Sequence, residues 1–169
     1  MRRIVFILFS TCLFLSSCIQ EKEEPLAGVN LKIGDKIPHF TVKMNDGSTI
    51  SEGNLHGCVS LIVFFHTSCK DCQQLLPVLQ QFHESYSSYP LVCISRAEKE
   101  ASIVTYWKKM GFTMPFSAQE DRMVYELFAQ VGVPRLYIVD EEGIIREIFT
   151  DEALPDLDDI IGALRLLNL

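Results

Sequence analysis

Basic charge is sparse in this chain. Its 169 residues carry 15 Lys and Arg against 22 Asp and Glu, a formal net charge of −7. No basic cluster gathers the few cations, which excludes a surface built to neutralise nucleic-acid phosphates. Histidine is scarce too, four residues in all with none after His83, so no distant histidine stands ready as a metal ligand. The longest apolar run, Ile4 to Leu15, falls short of the about 20 residues that cross a bilayer. Internal repeats and low-complexity tracts are absent. A chain of this length suits one domain.

The short apolar run has another reading. Arg2 and Arg3 precede it, as in the positive start of a secretory leader, and its length fits the apolar centre of one. It closes on Leu15-Ser16-Ser17-Cys18, which resembles the bacterial lipobox, where the cysteine receives lipid after cleavage. Residues 1–17 are therefore expected to be a lipoprotein signal peptide, with Cys18 the lipidated residue and the membrane attachment. Loss of Arg2 and Arg3 would take the net charge to −9. Residues 18–30 (CIQEKEEPLAGVN) are charged, then Pro/Gly-containing, without an apolar period, and read as a flexible acidic tether. Gln20-Glu21-Lys22-Glu23-Glu24 resembles the acidic export tags of surface lipoproteins; by composition it is equally a solvated linker. The expected location is a bacterial membrane, with the domain outside the cytoplasm, facing the periplasm or the cell surface.

Residues 31–169 show the periodicities of a folded unit. Thr41–Met44 and Thr49–Ile50 flank Asn45-Asp46-Gly47-Ser48, a hairpin signal. Val59–Phe65 (VSLIVFF) is a continuous apolar run, the pattern of a strand buried on both faces. Leu75, Leu76, Leu79, Phe82 and Tyr86 lie on one stripe of a helix over 70–88. Leu91–Ser95 is a second buried strand. Ile103, Val104, Trp107 and Met110 mark a second helix, and Met123, Val124, Leu127, Phe128 and Val131 a third, with Trp107 and the methionines expected in the core. Leu136–Val139 and Ile144–Phe149 are strands joined through the turn Asp140–Gly143. Leu157, Ile160, Ile161, Leu164 and Leu167 give a closing helix with acids in its first turn. The order hairpin, β, α, β, α, α, β, β, α implies an α/β fold: a partly parallel, mixed central sheet flanked by helices.

Four cysteines remain beyond the leader and Cys18. Cys58 stands at a strand entrance and Cys93 inside a strand, so both are expected to be buried as small apolar residues. A disulfide between them is the alternative in an oxidising compartment. Cys69-Lys70-Asp71-Cys72 is the one close pair, and it sits where strand 59–65 hands over to helix 70–88. A helix N-terminus offers unpaired N–H groups and partial positive charge, which favour a thiolate. Cys69 is then the exposed nucleophile, and Cys72, one turn on, the shielded thiol that resolves a mixed disulfide.

The segment Phe64-Phe65-His66-Thr67-Ser68-Cys69-Lys70-Asp71-Cys72, with Pro77 five residues later, resembles the active-site strand and helix of the thioredoxin superfamily. Gly132-Val133-Pro134, before the strand LYIV, resembles its cis-proline loop. Ile33-Gly34-Asp35-Lys36-Ile37-Pro38-His39-Phe40 and the Asp140–Gly143 hairpin are similar to the TlpA/ResA-like branch, of the redoxin (AhpC/TSA-related) group. The resemblance covers about residues 31–150. It implies a thioredoxin-like fold with an added N-terminal β-hairpin and a mid-chain helical insertion, and a thiol–disulfide oxidoreductase working through a Cys69–Cys72 redox-active disulfide without cofactor or metal. Val133 and Pro134 would then meet an extended substrate segment. The implied partners are protein thiols and disulfides and an upstream electron donor; a monomer is expected.

Three positions depart from that family. Ser68 replaces the tryptophan before the first cysteine. Val63 replaces the buried acid six residues before it, and Leu75 the glutamate three residues after the second cysteine. Both usual proton acceptors for Cys72 are missing. His66 and Lys70 are the candidate tuning groups, with Asp71 opposing Lys70; His39, His56 and His83 belong to no constellation. Two other functions compete. A peroxidase of the redoxin group needs Pro and Thr or Ser at positions held here by Ile62 and His66. A metal-binding module on the same fold would have to recruit Cys58 and Cys93 from within strands.

Overall fold

The computed structural model describes residues 30–167; the expected leader, Cys18 and residues 19–29 of the tether lie outside them. The turn at Asp46-Gly47 forms as its residues dictate. Ser48 donates its N–H (2.8 Å) and hydroxyl (2.6 Å) to Asp46 Oδ1, and Gly47 takes a φ of 88°. It joins β1 (Thr41–Lys43) to β2 (Thr49–Ser51) as a separate two-stranded antiparallel ribbon. A single helical turn, α1 (Glu52–Leu55), follows and leads to β3 (Ser60–Phe65).

The remaining elements are α2 (Lys70–Ser85), β4 (Leu91–Ser95), α3 (Glu100–Met110), β5 (Phe116–Ser117), α4 (Met123–Glu126), β6 (Arg135–Val139), β7 (Ile145–Thr150) and α5 (Leu157–Leu167). The main sheet runs β5-β4-β3-β6-β7. β4 lies parallel to β3 and β5 parallel to β4, whereas β6 and β7 are antiparallel to their neighbours. This is the expected mixed α/β sheet. β3 is its centre, and all six of its residues are buried, which is why its sequence is apolar without alternation.

α2 turns Leu75, Leu76, Leu79 and Phe82 inward, each fully buried apolar side chain contributing roughly 1.5–3 kcal/mol. It ends at Ser85, where Tyr86 leaves the helical region. Trp107 is buried as expected, packs tilted against Phe65 and Phe116, and donates its indole N–H to the Met114 carbonyl at 2.9 Å. Among the described residues, no helix is long and apolar enough to cross a membrane.

Several expectations need correction. The helix expected over 123–131 is only the four-residue α4. Past it the chain turns, with the Phe128 and Ala129 N–H groups returning to the Tyr125 carbonyl. Tyr125, Phe128 and Ala129 therefore go inside, while Met123 and Val131 face solvent at 70% and 65% exposure. Met110 is exposed as well. Cys58 is exposed, not buried, because it lies in the turn after Gly57, one residue before the buried Val59. It is also out of reach of Cys93, which sits opposite Val63 on β3. Five residues of strand span about 16 Å, well beyond a disulfide, and both thiols are free. The two-residue β5 left no pattern to read. It is pinned from the ribbon side: Asn45 and Phe116 exchange two hydrogen bonds of 2.8 Å, and the Ser117 hydroxyl donates to the Lys43 carbonyl.

Candidate active site at the start of α2

β3 delivers the chain to its C-terminal end, where a three-residue loop precedes Cys69. Cys69 is the N-cap of α2, with extended backbone (φ −78°, ψ 126°). Its side chain is half-buried, while Cys72, one turn into the helix, is wholly buried. The Cys69 thiol donates to the Val133 carbonyl at 3.2 Å, and the Val133–Pro134 peptide bond is cis. The expected cysteine pair and the expected proline loop thus meet, although 64 residues separate Cys69 from Val133.

Cys72 has a different environment. Burial pushes its thiol far above the ordinary range. The His66 N–H, 3.5 Å from Cys72 Sγ, opposes that rise; the neighbouring Cys69 sulfur adds to it, and the Arg96 charge opposes it again. Burial thus keeps Cys72 protonated, while Cys69 stands half-exposed at the helix start.

His66 does come to the site. Its Nδ1 accepts the Ser68 N–H at 3.2 Å and lies 2.9 Å from the Ser68 hydroxyl, so Ser68 pairs with the histidine where the family has an aromatic ring. Lys70 is exposed on the first turn of α2 and pairs with no carboxylate among the described residues. His39 pairs instead with Glu52, on the exposed surface. Among the described residues, no three His, Cys, Asp or Glu side chains are grouped to hold a metal.

Two charged residues of the site were not anticipated: Arg96 and Glu98. Glu98 is buried at 6% exposure. Its carboxylate accepts the Thr67 N–H at 2.8 Å and the Thr67 hydroxyl, and stands 3.8 Å from His66 Nδ1. Gln73 holds the other side of Thr67, donating to its carbonyl at 2.8 Å. The Arg96 N–H donates to the Phe65 carbonyl at 2.8 Å, and its guanidinium lies 5.5 Å from the centre of the Tyr125 ring. A usable signal existed: both residues follow β4, and the C-terminal ends of parallel strands are where open α/β sheets present their chemistry. Beside the site, an open groove of about 500 Å³ runs along α3, lined by Thr67, Ser102, Thr105, Tyr106 and Lys109 among others.

With this geometry in view, known proteins give the context. A model of the AhpC/TSA family matches residues 33–148, more than half of the chain. The chain belongs to the AhpC/TSA family. The chain is 19% identical over 134 residues to the thiol-disulfide oxidoreductase ResA of Bacillus thuringiensis, covering 78% of each chain. It is 26% identical to the thioredoxin-like protein YneN of Bacillus subtilis, covering 71% of this chain and 72% of that one. Among solved structures, a putative protein disulfide isomerase from Bacteroides thetaiotaomicron superposes with a TM-score of 0.71 at 22% identity, over 84% of this chain and 91% of that one. The exposed lipoprotein thioredoxin of Streptococcus pneumoniae superposes with a TM-score of 0.67 at 18% identity, over 77% and 100%. The TlpA/ResA resemblance and the thioredoxin-like fold expected from sequence are both borne out by these comparisons.

Proposed function

We propose that this protein is an extracytoplasmic thiol–disulfide oxidoreductase that reduces disulfides of partner proteins through Cys69 and Cys72. One observation carries the reading: a half-exposed thiol at a helix N-terminus lies 3.2 Å from the Val133 carbonyl, with a second thiol buried one turn behind it. The ResA relatives, thiol-disulfide oxidoreductases by name, support it. In the proposed cycle the Cys69 thiolate attacks a substrate disulfide, forming a mixed disulfide and releasing one substrate thiolate, which takes up a proton. Cys72 then loses its proton and attacks Cys69 Sγ, breaking the mixed disulfide and releasing the second substrate thiolate. The substrate gains two electrons, the pair becomes a disulfide, and an upstream donor reduces it. Val133 and Pro134 flank the substrate segment; His66 and Lys70 tune Cys69. Residues 1–17 are the cleaved leader, and lipid on Cys18 holds the 31–169 domain to the membrane through its tether.

The test uses the full chain in detergent with a disulfide-linked peptide and a reductant. Cys69→Ser abolishes reduction, and Cys72→Ser accumulates a mixed disulfide through Cys69; undiminished activity in Cys69→Ser overturns the reading. Titration of the pair against glutathione gives its potential, low for a reductase and high for an oxidase. Peroxide turnover matching disulfide turnover would replace this assignment with a peroxidase of the redoxin group.

A further inference from the structure

The family positions that usually hold a proton acceptor for the second cysteine are Val63 and Leu75 here, and both are buried apolar residues. The resolving step still needs a Cys72 thiolate. A cation stands nearby instead, one peptide unit from Cys72 through the backbone. A single peptide unit, Phe65 to His66, connects the two residues: its N–H donates to Cys72 Sγ at 3.5 Å, and its carbonyl accepts the Arg96 N–H at 2.8 Å. Arg96 is thus one peptide away from the buried sulfur. The residue is half-buried, and its guanidinium lies 5.5 Å from the centre of the Tyr125 ring. The opposing cation on that ring, Arg122, at 5.0 Å, is paired with Glu126 at 3.0 Å. Arg96 pairs with no carboxylate among the described residues, so no ion pair offsets its charge. Tyr125 in turn donates its hydroxyl to the Gly132 carbonyl at 2.7 Å, which fixes the ring, and Arg96 against it, to the Val133–Pro134 loop.

We propose that Arg96 is a positioning residue for the resolving half-reaction: its guanidinium stabilises the Cys72 thiolate and so takes the place of the missing acid. The mechanism differs in kind from that of a buried carboxylate. An acid accepts the proton from Cys72; a fixed cation lets the proton leave to water and holds the negative charge that remains. The other groups facing Cys72 act in known directions. Cys69 on the same helix opposes its ionisation, the His66 N–H favours it, and Tyr106 of α3 feels the charge when it forms. Glu98, from the segment after β4, is spent on Thr67 and stands beside His66. The inference rests on the dithiol cycle proposed above and concerns only its second step: Cys72–SH loses a proton to solvent, Cys72 S⁻ bonds to Cys69 Sγ, and the substrate thiolate departs and is protonated.

The two steps separate with a neutral aromatic disulfide such as 4,4′-dithiodipyridine, which releases one thiopyridone on attack by Cys69 and a second on resolution by Cys72. The full chain in detergent carries Cys12→Ser, Cys18→Ser and Cys58→Ser, leaving Cys69 and Cys72 as the reactive thiols, since Cys93 is fully buried. Arg96→Met is expected to leave the first phase within twofold and slow the second. Each unit by which the Cys72 thiol rises cuts the thiolate tenfold and raises its nucleophilicity about threefold, a net slowing of about threefold. Arg96→Lys restores the second phase, and Arg96→Glu slows it beyond Arg96→Met. A second phase insensitive to charge at position 96, or one slowed equally by Met and Lys, overturns the proposal in favour of packing on Tyr125. Loss of the first phase in the Arg96-containing protein would instead count against the dithiol cycle itself.

Discussion

The Glu98 carboxylate takes both hydrogen-bond donors of Thr67, its N–H at 2.8 Å and its hydroxyl, across 31 residues of sequence. Thr67 lies between the peptide whose N–H meets Cys72 and the residue before Cys69, so this buried acid fixes the loop on which both sulfurs depend. Glu98→Ala leaves a buried N–H and hydroxyl without a partner and is expected to cost about 2–3 kcal/mol by urea unfolding. It should also slow disulfide reduction about tenfold or more, since small misplacements of reacting atoms are costly. Glu98→Gln keeps an acceptor for the N–H and a donor for the hydroxyl oxygen, and should recover at least half of the lost stability. Equal losses in both variants would show that the charge, not the hydrogen-bond geometry, holds the loop.

The contrast between the two cysteines makes a labelling experiment decisive. In the reduced native protein, a maleimide should modify Cys58 and Cys69 and leave Cys72 and Cys93 untouched, because the first two are accessible and the last two are fully buried. Mass spectrometry of digested protein reads this directly, and unfolding in urea should expose all four. Rapid native labelling of Cys72 would contradict the division of roles.

How far the sequence carried this site depends on how each part is specified. β3, β4 and α2 were legible because long apolar runs and a 3.6-residue stripe are local signals, and the cysteine pair and Pro134 are marked by type and position. Arg96 and Glu98 were hidden because nothing local distinguishes them from surface charges. They reach the site through sheet register: Phe65 pairs with Ser95, so whatever follows Ser95 lands beside His66. The same register argument explains the misplaced Cys58, whose apolar neighbours belong to β3 while it belongs to the turn before. In α4, the sequence period continued past the point where the backbone turned back, so Met123 and Val131 were assigned to a face that does not exist.

Gly132 tests the proline loop without touching a side chain that does chemistry. Its φ is +84°, and a Cβ there would lie 3.2 Å from Asp151 Oδ1. Gly132→Ala should therefore cost about 1–2 kcal/mol for the left-handed backbone, and push the loop or Asp151 aside. Because the next carbonyl, that of Val133, receives the Cys69 thiol, reduction of a peptide disulfide should weaken, with KM rising severalfold. Gly34→Ala is the control: φ is +95° with nothing within 4 Å of its Cβ, so it should carry a similar backbone cost and leave exchange unchanged. Equal effects on KM would assign the loss to general destabilisation.

Cys93 sets an expectation for alkaline pH. Burial in β4 pushes its thiol up to about 12, whereas an unfolded thiol titrates near about 8.5. Between those values the folded protein keeps a proton that the unfolded chain has released. The stabilisation is complete below the unfolded value and is lost as pH rises toward the folded one. From this thiol alone the protein should be about 2 kcal/mol less stable at pH 10 than at pH 7. Tyr137, pushed by burial to about 12, acts in the same direction, beginning nearer pH 10. Cys93→Ala removes the thiol at the cost of a small cavity, so it should be less stable than the parent at pH 7 and recover most of that deficit at pH 10. Urea midpoints of both proteins at the two pH values measure this. Parallel pH dependences would mean that the Cys93 thiol titrates alike in the folded and the unfolded chain, so that its burial contributes no proton linkage.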